Sequence, residues 1–165
     1  MGLSVEVQLA NLAGTAAFAQ LIAPQLQADD WLLLEGEMGS GKTTLVRHLV
    51  AALGGNADAV SSPSYALMNA YVARLPVWHV DAWRLHDDEG FAALGLDDLA
   101  AGGLVIVEWP SRIPELANLS CAWRLHLRSF GGDERAAKLS VPLGRPMPDL
   151  PPLLPASASA PVAMP

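Results

Sequence analysis

Val5-Glu6-Val7-Gln8-Leu9 alternates apolar with polar positions, which predicts a strand with one buried face. From Leu12 the spacing changes. Apolar residues recur at helical intervals as far as Gln27, with Phe18, Leu21 and Ile22 on one side, and Asn11 is a good N-cap. Trp31-Leu32-Leu33-Leu34 is a continuous apolar run, too short for a helix and suited to a buried parallel strand. Thr43 to Leu53 is helical again, with Leu45, Leu49, Val50 and Leu53 on one face, and Gly54-Gly55 ends it. Ser61 to Ser64 reads as a loop and Tyr65 to Val72 as a strand. Pro76 to Asp81 and Leu104 to Glu108 are two further apolar strands, each ending in an acid. Asp87-Asp88-Glu89 opens a short helix through Leu94, its acids at the favourable positive end. Trp123 to Leu127 and Ala137 to Val141 alternate, predicting an antiparallel hairpin that turns near Gly131-Gly132.

Apolar strands interleaved with helices predict an α/β fold in three layers, a mostly parallel central sheet flanked by helices, with antiparallel strands at its C-terminal end. A ligand then belongs at the carboxyl ends of the strands. Residues 1–144 form the expected domain. Residues 145–165 are rich in Pro, Ala and Ser and read as a disordered tail.

Composition narrows the options. Hydrophobic residues make up 52% and charged ones 16%, a globular balance. No apolar run is long enough for a membrane span, and the N-terminus lacks the pattern of a signal peptide. The single cysteine, Cys121, reads as a small buried or half-buried thiol, and a reducing cytoplasm fits. The net charge of −7, with scattered basic residues, argues against nucleic-acid binding by this chain alone.

The chemistry concentrates at Gly36-Glu37-Met38-Gly39-Ser40-Gly41-Lys42-Thr43, which fits the phosphate-binding P-loop pattern. The motif follows a buried strand and opens a helix, as its mechanism requires. Glycines let backbone N–H groups converge on phosphate oxygens, and the helix N-terminus adds its positive end. Lys42 supplies a point charge for the outer phosphates, and the Thr43 hydroxyl is a hard oxygen ligand for Mg²⁺. The expected ligand is ATP with Mg²⁺. Asp81 and Glu108 both end strands near this loop. Glu108 is assigned to Mg²⁺, and Asp81 to the attacking water or the second metal shell, with the two roles exchangeable. The Ser61-to-Ser64 loop reads either as a γ-phosphate sensor or as a solvated turn. His79 reads as a packed core histidine, and Glu35 and Glu37 as solvated or structural.

Several segments together resemble the TsaE family of small bacterial P-loop ATPases. They are the P-loop through Thr44, Ser61 to Tyr65, His79-Val80-Asp81-Ala82-Trp83-Arg84-Leu85, Gly95-Leu96 and Glu108-Trp109-Pro110. The resemblance covers about residues 5–141. It implies a P-loop NTPase-like fold and a role in forming N6-threonylcarbamoyladenosine next to the anticodon of tRNA. It also implies a TsaB–TsaD heterodimer as partner, with tRNA met only indirectly, and ATP hydrolysis that is weak in isolation. Carried over residue by residue, it places nucleotide contacts at Gly39 to Thr44, magnesium ligands at Thr43 and Glu108, and the second acid at Asp81. It adds nucleotide contacts at Asn11 or Thr15 and near Gly132. Ser64 and Trp83 stand where the family usually has threonine and tyrosine. Two other readings share the P-loop: a small-molecule kinase, and a nucleotide-switched binding module without essential hydrolysis.

Overall fold

The computed structural model describes residues 2–150. Among them seven strands form one sheet: β1 (Ser4–Leu9), β2 (Trp31–Gly36), β3 (Met68–Tyr71), β4 (Val77–Asp81), β5 (Leu104–Glu108), β6 (Trp123–Gly131) and β7 (Glu134–Ser140). Their spatial order is β1-β7-β6-β2-β5-β4-β3. The central strands β6, β2, β5 and β4 are parallel, whereas β7, β1 and β3 are added antiparallel. The sheet is therefore mixed, with the expected parallel centre and antiparallel pairings toward both edges. The antiparallel C-terminal hairpin is present, and β1 extends it as a third antiparallel strand.

Helices α1 (Leu12–Ile22), α2 (Lys42–Ala52), α3 (Asp88–Ala92), α4 (Leu96–Leu99) and α5 (Pro114–Ala117) complete the layers. The period-2 geometry of β2 sends its side chains to both faces. Leu32 and Leu34 join a core with Phe18 and Ile22 of α1 and Leu45 and Leu49 of α2. Leu33 joins the opposite core with Phe91, Leu96, Ile113 and Leu116. Each of these buried leucines contributes roughly 1.5–3 kcal/mol relative to exposure. This two-sided burial explains why Leu32-Leu33-Leu34 is apolar throughout.

Three local expectations need correction. Helix α1 stops at Ile22 and passes into a 3₁₀ turn over Ala23–Gln25, not at Gln27, because Pro24 cannot continue an α-helical ladder. The strand expected from Tyr65 begins only at Met68, because Leu67 takes a left-handed φ of 65°. Cys121 is exposed rather than buried.

Part of the expected tail is tied down. Arg145 forks onto Asp30 with Nη1–Oδ1 and Nη2–Oδ2 distances of 2.9 and 3.0 Å, and Met147 and Leu150 pack on the core. The rest of that segment, 151–165, lies outside the described residues. No helix among the described residues is long and apolar enough to cross a membrane.

Candidate functional site

Strand β2 ends at Gly36 and α2 begins at Lys42, so residues 37–41 make the turn between them. Gly39 and Gly41 have φ of 78° and 97°, left-handed values that glycine adopts without steric cost. At Gly36 there is no room for a side chain: a Cβ would lie 2.5 Å from the Leu127 carbonyl oxygen. The turn thus presses against β6 and presents the N-terminus of α2 to a cleft of about 400 Å³. That cleft is lined by Gly39, Gly41, Lys42, Thr43, Asp81 and Glu108, among others.

Lys42 is 5% exposed. Its Nζ donates to the carbonyls of Gly36 at 2.7 Å and Glu37 at 3.0 Å. The ammonium also lies 3.7 Å from the ring centroid of Trp109. Burial pushes its pKa below the usual 10.5, while Glu108, Glu35 and Asp81 pull it back up. Trp109 reaches this position from a left-handed backbone (φ 61°, ψ 46°), strain of about 1–3 kcal/mol that its neighbours must hold. Trp83 stacks on it at 4.5 Å and Arg112 lies over Trp83 at 4.3 Å, so Trp83 has the packing role that its missing hydroxyl leaves open to it.

The two strand-ending acids are brought together. Asp81 and Glu108 are register partners across β4 and β5, each 3% exposed. Thr43 Oγ1 donates to Glu108 Oε1 at 2.9 Å. The same oxygen is 2.8 Å from His79 Nε2, and His79 Nδ1 is 3.3 Å from the Tyr71 hydroxyl. With Glu108 as acceptor, Nε2 carries the proton. His79 is therefore more than a core filler: it fixes the Glu108 carboxylate. The sequence carried a signal for it. His79 lies two residues before Asp81, hence on the same face of β4, the face shared by Glu108 on β5.

Asp81 is occupied by its own surroundings. Oδ1 accepts from the Trp83 amide at 2.9 Å, and Oδ2 from Ser64 Oγ at 2.9 Å and Ser62 Oγ at 3.3 Å. The hydroxyl-rich loop thus sits at the acid, inside the cleft. Glu35 accepts from the Ser111 amide at 3.1 Å, a structural use.

Asn11, Thr15 and Gly132, the other expected contacts, are not among the residues that line the cleft. Asn11 Oδ1 caps α1 through the Gly14 amide at 2.9 Å. Thr15, beside it, borders a small crevice with Ser40, Gly41 and Thr44. Gly132 lies in the β6–β7 turn, where its carbonyl accepts from Arg135 Nη1 at 2.6 Å. Arg135 itself lines the cleft. Sequence reading passed over it, because its place at the cradle depends on β6 lying beside β2.

Thr43 and Glu108 offer hard oxygens of the kind Mg²⁺ takes. No group of three or more His, Cys, Asp or Glu residues among those described could hold a metal ion unaided. A cation here would complete its shell with water and ligand oxygens, as Mg²⁺ does on phosphates. Backbone N–H groups, a helix N-terminus and a lysine can together hold an anion with phosphate-like oxygens.

The fold and this site define a mixed α/β protein with a strand-to-helix glycine loop that opens on a polar cleft. The family model described as "Threonylcarbamoyl adenosine biosynthesis protein TsaE" matches residues 9–137. The chain belongs to the TsaE family. It is 37% identical over 127 residues to the tRNA threonylcarbamoyladenosine biosynthesis protein TsaE of Bacillus subtilis, covering 76% of this chain and 78% of that one. It is 35% identical over 119 residues to the Synechocystis protein of the same name, covering 68% and 74%. With the Rickettsia conorii TsaE it shares 32% over 103 residues, 62% of this chain and 59% of that protein. The crystal structure of Bacillus subtilis YdiB superposes with a TM-score of 0.67 at 26% identity, covering 86% of this chain and 87% of that one.

Proposed function

We propose that this chain binds ATP with Mg²⁺ and hydrolyses it, serving tRNA threonylcarbamoyladenosine formation together with a TsaB–TsaD heterodimer. The observation that carries this reading is the convergence of Lys42, Thr43, Glu108 and Asp81 in one cleft at the carboxyl ends of parallel strands. Family membership supplies the pathway.

In this reading the loop amides and Lys42 bind the phosphates, and Thr43 and Glu108 hold the cation, with His79 fixing the carboxylate. Mg²⁺, when bound, would neutralise charge on the outer phosphates. Asp81 orients the attacking water once Ser62 and Ser64 give up Oδ2, and the Trp83 amide keeps its other oxygen in place. The indole of Trp109 covers Lys42 and excludes water beside it.

The decisive measurement is steady-state ATPase with and without the cognate TsaB–TsaD pair. Strong stimulation by the pair is expected. Turnover driven instead by a small phosphoryl acceptor, and unaffected by the pair, would sink the reading in favour of a kinase. Glu108→Ala and Asp81→Ala are expected to retain ATP binding and fail to sustain multi-turnover tRNA modification. Full modification by both variants would mean that hydrolysis is not the function.

A further inference from the structure

Strand β3 lies at the edge of the sheet, yet it sets two polar side chains on the face that holds the site. Asn69 and Tyr71 are two residues apart and share that face, and Asn69 is the register partner of His79 on β4. They stand between two groups. On one side is the carbonyl of Ser61, at the start of the hydroxyl loop that binds Asp81. On the other is His79, which holds Glu108. Tyr71 is buried, and its hydroxyl is 3.3 Å from His79 Nδ1 and 3.2 Å from the Ser61 carbonyl oxygen. Asn69 Nδ2 is 3.3 Å from both the Tyr71 hydroxyl and that carbonyl oxygen.

Counting protons gives these bonds a direction. His79 donates from Nε2 to Glu108, so its Nδ1 offers a lone pair. A buried lone pair needs a donor, and the Tyr71 hydroxyl has one proton to give. Given to Nδ1, that proton leaves the Ser61 carbonyl to one N–H of Asn69 and the tyrosine oxygen to the other. Every donor then has an acceptor. The bonds run one way, from Asn69 to Tyr71 to His79 to Glu108, and end on the oxygen that also accepts from Thr43.

We propose that Tyr71 is a positioning residue for the cation site, acting through His79 and tying the Ser61 loop to the Glu108 carboxylate. This proposal rests on the Mg-nucleotide reading above. The loop then meets both acids. Ser62 and Ser64 touch Asp81 directly, and Ser61 reaches Glu108 by way of Asn69, Tyr71 and His79. Tyr71 itself touches neither the glycine loop nor Lys42. Its loss leaves the phosphate cradle intact and loosens the carboxylate that holds the cation, as outer partners of metal ligands do.

The test is calorimetric titration of the full chain with ADP across a series of Mg²⁺ concentrations, with excess EDTA as the metal-free reference. Wild type is compared with Tyr71→Phe, His79→Phe and the double variant, and a thermal melt confirms that each folds. Tyr71→Phe keeps the ring and loses the donor. It is expected to raise the Mg²⁺ needed for half of the metal-dependent change in ADP affinity by about fivefold, with the affinity in EDTA at the wild-type value. The double variant should need no more Mg²⁺ than His79→Phe alone, because Tyr71 acts through His79. A wild-type Mg²⁺ requirement in Tyr71→Phe would overturn the proposal. Equal weakening with and without Mg²⁺ would overturn it too and leave Tyr71 a packing residue. So would additive effects in the double variant. A wild-type chain that binds no ADP, or binds it without regard to Mg²⁺, would instead remove the Mg-nucleotide reading itself, and this proposal with it.

Discussion

Lys42 and His79 show how much of the site depends on groups that hold other groups. Lys42 is charged, buried among carbonyls and covered by an indole, and desolvation lowers its proton affinity. Its folded pKa lies below the ordinary 10.5. Between those two values the unfolded chain binds more protons than the folded one, so stability rises with pH across that window. Below the folded value this gain is absent. The urea midpoint of the wild type should therefore climb relative to Lys42→Met as pH rises toward 10.5; parallel pH profiles for the two would count against it. At neutral pH the same variant should lose about a hundredfold in partner-stimulated ATPase. His79 acts through Glu108. His79→Phe fills similar space without the Nε2–H donor, and should raise the Mg²⁺ needed for half-maximal ATPase roughly tenfold. An unchanged Mg²⁺ requirement would reduce His79 to packing.

At the level of elements, the junction of β2 and the glycine loop carries the most constraint. Gly36→Ala would set a Cβ 2.5 Å from the Leu127 carbonyl and 2.6 Å from Ser40 Oγ, at a φ of 150°. A loss of about 1–3 kcal/mol is expected, read as a lower denaturation midpoint, and a midpoint within error of wild type would contradict the contact. The elements also show what the sequence disclosed. Leu32 to Leu34 and Val105 to Val107 were legible because burial on both faces leaves nothing but apolar residues, and Asp81 and Glu108 because each breaks such a run at its end. Asn11 was legible as a cap because its chemistry is local. The short α4 was not, since Leu96–Leu99 contains a single turn and too little periodicity to read. The β1–β7 pairing was not legible either, because alternation reveals a half-buried strand and not its neighbour. Arg135 and the Arg112–Trp83–Trp109 ladder share that cause: each arises from segments that only the tertiary fold brings together.

For the molecule as a whole, charge limits the partners. A chain of −7 in which Arg145 and Arg128 pair with Asp30 and Glu6, and Arg124 donates to backbone carbonyls, has little left to grip a phosphate backbone. In a mobility-shift assay at about 0.15 M ionic strength, the isolated chain should leave tRNA unshifted, and retention should require TsaB–TsaD. Tight tRNA binding by the chain alone would contradict this. The sheet order has a further consequence, in the timing of assembly. The first strand pairs only with the last, Ser4 opposite Ser140 and Leu9 opposite Arg135. During synthesis β1 must wait, unpaired, until almost the whole domain has been made, so its closure carries a large loop-entropy cost. Arg135 arrives with that final strand. A truncated or stalled chain could thus form the glycine loop and still lack the second cation beside it, so competence for ligand would arise in the last step of folding.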